Sequence, residues 1–67
     1  MTATEILLLL QAGEKMGYKA TIIINNILGK SEYIVRYDEY KIDDVKLFYN
    51  KKGAVHVKDV VAVRIGL

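Results

Sequence analysis

Thr21-Ile22-Ile23-Ile24-Asn25-Asn26-Ile27-Leu28-Gly29-Lys30-Ser31-Glu32-Tyr33-Ile34-Val35-Arg36-Tyr37-Asp38-Glu39-Tyr40 is the stretch whose pattern sets the architecture. Its opening, Thr21 to Ile24, is β-branched throughout. Such side chains are stiff at χ1 and pack well on a pleated surface, so a strand is expected from Lys19 to Asn25. Asn25-Asn26 and Gly29-Lys30 then bracket a turn, because Asn bonds its own backbone and Gly accepts positive φ. Tyr, Ile and Val recur beyond it, which predicts a longer second strand from Glu32 to Ile42. That strand must bend to stay in a small domain, and it contains no Gly to ease the bend.

The residues before this hairpin read as a helix. Thr2-Ala3-Thr4-Glu5 has the spacing of a capping box, in which Thr2 and Glu5 satisfy each other's backbone N–H groups. Helix formers run from Ala3 to Met16, and Gly17 supplies a left-handed stop. Ile6, Leu9, Leu10, Gly13 and Met16 make one face. Leu7 and Leu8 lie outside that face, so the helix either buries two sides on its own domain or offers one of these leucines to a neighbour.

The residues after the hairpin read as further short strands. Asp43-Asp44 is a turn signal. Val45 to Asn50 alternates, with Val45, Leu47 and Tyr49 on one face and Lys46, Phe48 and Asn50 on the other. Lys51-Lys52-Gly53 is a tight hairpin loop with Gly53 available for positive φ. Ala54–Val57 is a short strand, Lys58-Asp59 interrupts, and Val60–Ile65 is the last strand. The expected fold is mainly β with one N-terminal α-helix, about 3–16, and a single domain whose five antiparallel strands, about 19–66, bend into a small barrel. There is no Pro, so nothing blocks an edge strand from pairing with another chain.

Composition bounds the function. A chain of 67 residues buries only about 60% of the surface its unfolded form exposes. Domains this small gain stability from disulfides, metals or self-association. There is no Cys, and His56 is the only His, so no metal or cofactor is expected and self-association remains. An apolar fraction of 52% points the same way, because it exceeds what one small core needs. The run Ile6–Leu10 is too short to span a bilayer and has no Lys or Arg before it. With the absence of Cys, this leads to a cytoplasmic expectation with no membrane partner. The net charge of +2 permits nucleic-acid binding without demanding it. Catalysis is not expected: Ser31 is the only Ser and sits in a turn, and His56 has no nucleophile paired with it.

Helix, five short strands and a long second strand is a layout similar to the Sm fold. The quoted stretch resembles the first Sm motif as found in bacterial Hfq-like proteins, through Asn26, Tyr33-Ile34 and Tyr37-Asp38-Glu39-Tyr40. Val57-Lys58-Asp59-Val60-Val61 resembles the second motif. The resemblance implies a cyclic homo-oligomer, a hexamer or heptamer, that binds single-stranded RNA. It implies that Tyr40 stacks on a base and Lys58 supplies a cation at an inner pore, with Asn26 and Arg36 as further contacts. Lys51 and Lys52 form a second basic cluster that could touch phosphate. Ring closure would pair the fourth strand of one subunit with the fifth of the next, so Ala54, Val55, His56, Val57, Val60, Val61, Val63 and Ile65 are the candidate subunit contacts. Several positions depart from the family pattern: Ile27 and Glu32 replace glycines, and Glu39 and Asp59 place carboxylates where the family has an amide and a His. The segment from Tyr40 to Lys58 is also longer than in the family. The alternative expectation is a small-barrel protein-interaction module without an RNA site.

Overall fold

The computed structural model describes residues 1–66. Helix α1 spans Ala3–Met16 and six strands follow: β1 Lys19–Asn26, β2 Gly29–Ile34, β3 Lys41–Ile42, β4 Lys46–Phe48, β5 Ala54–His56 and β6 Val60–Gly66. A 3-10 turn, Val57–Asp59, joins β5 to β6. The protein is mainly β with one N-terminal helix. Among the described residues, no helix is long and apolar enough to cross a membrane.

The helix begins and ends where its caps dictate. The Thr2 hydroxyl accepts from the Glu5 N–H at 3.1 Å, and the Glu5 carboxylate accepts from the Thr2 N–H at 2.9 Å. Gly17 adopts φ 74°, and the following Tyr18 N–H closes the last turn on the Gly13 carbonyl at 2.9 Å. The buried stripe is narrower than expected, comprising Ile6, Leu10 and Gly13. Leu9 and Met16 are exposed instead, because the helix rests on β1 and β6 through this one face alone. Leu8 is also exposed, at 61%.

Two antiparallel three-stranded sheets, ordered β2-β1-β6 and β3-β4-β5, enclose the core. Ala20, Ile22 and Ile24 of β1 point into it and meet Leu47 of β4, Val60, Ile6 and Leu10. Each such aliphatic side chain contributes about 1.5–3 kcal/mol on burial. A register shift between Ile23 and Ile24 pairs Ile24 with Val60 and Ile23 with Ala62, which leaves Val61 as the extra residue of a bulge. Val60 thereby faces the core while Val61 turns outward.

The expected long second strand is broken, so the described residues form six strands rather than five. Val35 still donates to the β1 carbonyl of Ala20 at 2.9 Å, but the next residue, Arg36, donates to Tyr49 beyond β4 at 2.8 Å. The chain thus changes sheet between Val35 and Arg36. It then makes a turn in which the Arg36 carbonyl accepts from both Glu39 and Tyr40, and it resumes as β3. With no Gly available, the bend is made by leaving the ladder. No ladder joins β5 to β6, so the two sheets do not close on each other within one chain.

The three turns that set the sheets are locally encoded. Asn26 accepts from the Leu28 N–H at 2.9 Å, and Gly29 follows at φ 120°, a conformation that a side chain would strain. Asp43 accepts from the N–H groups of Val45 and Lys46, both at 2.8 Å. Asn50 accepts from Lys52 and Gly53 at 2.8 and 2.7 Å. Gly53 does not adopt positive φ. It is required because a Cβ there would collide with the Tyr49 ring.

Candidate nucleic-acid interface

Tyr40 sits in the turn between β2 and β3 and is half-buried against the core. It meets Tyr37 edge-on, with ring centroids 6.4 Å apart and an interplanar angle of 75°. Burial first, and then the nearby Glu14 carboxylate, pushes both phenols above the usual tyrosine range. Tyr37 donates to the Tyr18 carbonyl at 2.7 Å. The aromatic pair of the Tyr37-Asp38-Glu39-Tyr40 motif therefore packs beside the helix C-terminus.

Lys58 is exposed in the 3-10 turn after β5. The pairing Lys41↔Phe48↔Ala54 puts Tyr40 at one end of β3-β4-β5. Val57 donates to the Val45 carbonyl at 2.8 Å, which puts Lys58 at the other end. The strand-to-strand turn beside Lys58 is Asp43-Asp44. The structure thus separates Tyr40 from Lys58 within one chain.

The remaining candidates are scattered. Asn26 lies at the β1–β2 turn and spends its side chain there, donating to the Ser31 hydroxyl at 2.8 Å while accepting from Leu28. Arg36 is ion-paired with Asp38 at 3.3 Å. Lys51 and Lys52 are exposed at the β4–β5 loop, and the Lys51 backbone N–H reaches the Glu39 carboxylate at 3.2 Å. Among the candidate subunit contacts, Val57 and Val60 are buried in the chain's own core, so a neighbour could reach only their main chain. Ala54, His56 and Val61 are exposed, and Val55, Val63 and Ile65 are half-buried.

Pairing between strands assembles a cluster that the linear sequence leaves apart. On the outward face of β3-β4-β5, Phe48 stands between Lys41 and Ala54 on one rung, and Lys46 stands beside His56 on the next rung of that face. Phe48 is 40% exposed. The alternation of Lys46, Phe48 and Asn50 was legible as one face, but the arrival of Lys41 depends on the β3–β4 register. A cleft of about 370 Å³ beside Phe48 is lined by Glu39, Lys41, Asn50 and Lys51.

The opposite sheet carries a different surface. Arg64 of β6 reaches across β1 to Glu32 of β2 at 2.6 Å, and this pairing holds the Glu32 carboxyl below its usual range. No family model, curated protein or solved structure matches the chain.

Proposed function

We propose that this chain is a small Sm-like barrel that assembles into a closed homo-oligomeric ring and binds single-stranded RNA. The observation that carries the proposal is the pair of open edges at one corner. Among the described residues, β5 pairs only with β4, and β6 pairs only with β1. The two strands are consecutive, linked by a single 3-10 turn. Along both, residues in register with the core remain half-covered: Val55 opposite Leu47, Val63 opposite Ile22 and Ile65 opposite Ala20.

A β5 strand from a second copy, laid along β6, would extend the sheet with main-chain hydrogen bonds and cover these side chains. The same contact repeated head to tail closes when the rotation permits, and closure completes the barrel walls between subunits. In a ring of six, a charge of +2 per chain sums to about +12, enough to draw in a polyanion. Such a ring would also bring Lys58 of one copy near elements of the next, where a single chain leaves it apart from Tyr40.

Light scattering on the eluting protein tests the ring, and labelled oligo(U) and oligo(A) at two salt concentrations test the RNA. The proposal expects an assembly whose RNA affinity falls as salt rises.

A second reading, a protein-interaction module of the same shape, draws on the β1–β2 tip. Ile27 and Leu28 are 101% and 97% exposed there, and a protein partner seated on this tip would cover both apolar side chains. An assembly indifferent to both oligonucleotides, and monomerised or freed of a partner by Ile27→Ser with Leu28→Ser, would favour it.

A further inference from the structure

Resting on the RNA reading above, we infer that the outward face of β3-β4-β5 is the surface that holds the single strand, with a base stacked on Phe48 and phosphates on Lys41, Lys46 and Lys51. On this face the Phe48 ring is 40% exposed and so open to a stacking base. Its rung neighbours leave it accessible. Ala54 on one side is too small to cover a ring, and Lys41 on the other is a flexible cation. Neighbouring strands lie about 5 Å apart and same-face residues about 7 Å apart along a strand, so Lys41 and Lys46 both reach the surroundings of the ring.

The cleft beside Phe48 adds depth to this face. Its volume of about 370 Å³ falls within the ~300–1,000 Å³ range of small-ligand clefts. Lys41 and Lys51 line it from β3 and from the β4–β5 loop. The one carboxylate in its wall, Glu39, accepts from the Lys51 backbone N–H at 3.2 Å. Asp43, at the far end of β3, is turned into its own turn by the N–H groups of Val45 and Lys46. Lysine therefore outnumbers carboxylate around an accessible aromatic ring. A stacking platform flanked by cations is the arrangement that holds single strands without reading their sequence.

Fluorescence anisotropy with labelled oligo(U) and oligo(dT) tests the assignment. Phe48→Ala should weaken binding by roughly 5- to 150-fold, the range carried by one stacked base, while Phe48→Trp retains it. Lys41→Ala with Lys51→Ala should lower the slope of log affinity against log salt by about 1.4, from two phosphate contacts at about 0.7 each. Circular dichroism confirms that each variant folds. Binding of both oligonucleotides identifies any single strand as the ligand, and binding of oligo(U) alone identifies RNA. If the wild-type protein binds but Phe48→Ala binds equally well, this face is not the site and the RNA reading survives elsewhere. If the wild-type protein binds neither oligonucleotide, the RNA reading and this assignment fail together.

Discussion

The Tyr37 hydroxyl donates to the Tyr18 carbonyl at 2.7 Å, which ties the turn between the two sheets to the residue just after the helix. The contact closes over Gly13, where a Cβ would collide with the Tyr37 hydroxyl and with Ile65. Helix propensity alone favours Ala over Gly by about 1 kcal/mol. Here the collision outweighs it, because both neighbours are held: Tyr37 by its hydrogen bond and Ile65 by its place in β6. Gly13→Ala is expected to destabilise the protein by about 1–3 kcal/mol, the usual cost of overpacking. Tyr37→Phe is expected to cost about 1 kcal/mol through the lost hydrogen bond. Urea denaturation of both variants checks the pair, and a stabilised Gly13→Ala would show that the helix stands further from β6.

Gly53 makes a parallel case in the loop between β4 and β5. The Tyr49 ring stacks on Tyr33 at 4.7 Å and lies against Gly53, where a Cβ would strike it. Gly53→Ala should displace the ring and lower stability by about 1–3 kcal/mol. A loss of the near-ultraviolet tyrosine signal ought to accompany it. An unchanged spectrum and melting temperature would contradict the packing.

Three carboxyls lie below their ordinary range: Glu5 through the Thr2 N–H and hydroxyl, Asp43 through the Lys46 and Val45 N–H groups, and Glu32 through Arg64. A depressed carboxyl stabilises the fold above its unfolded pKa, and that contribution is lost as pH falls through the folded value. Melting temperature is therefore expected to hold from neutrality to about pH 5 and to drop below about pH 4. Glu5→Gln and Asp43→Asn should each flatten this acid limb.

The alkaline side has the opposite sign. Tyr37 and Tyr40 are raised by burial and by Glu14, so their contribution is complete below about pH 10 and is lost as pH rises through their folded values. In a tyrosinate absorbance titration, the part contributed by Tyr37 and Tyr40 should appear above the ordinary tyrosine range. Glu14→Gln should bring both down, and a titration curve unchanged by that substitution would contradict their placement.

How far the sequence could be read follows from the range of each signal. The helix limits, the Asn26 and Asp43 turns and the start of the last strand rest on neighbours within four residues, and Ala3–Met16 appears as expected. The break after Ile34 was not legible, because the run from Glu32 to Ile42 is locally good strand. The sheet change between Val35 and Arg36 depends on partners from β1 and β4 that only the folded chain supplies. Leu9 and Met16 failed as core residues for a related reason: periodicity gives the width of an apolar stripe, not how much of it the neighbouring sheet covers. At the candidate site, the spacing of Tyr37-Asp38-Glu39-Tyr40 is legible in the sequence, whereas the basic surroundings of Phe48 depend on the pairing that sets Lys41 beside it.

The open edges of β5 and β6 carry the central claim, and the molecular mass in solution measures it most directly. Size-exclusion chromatography with light scattering at neutral pH should give a mass several times the 7.6 kDa of one chain. Ala54→Lys with Val61→Lys, which sets like charges on both exposed edges, should shift that assembly toward monomer without loss of secondary structure. A wild-type protein that elutes as a 7.6 kDa monomer at every concentration tried would contradict the account.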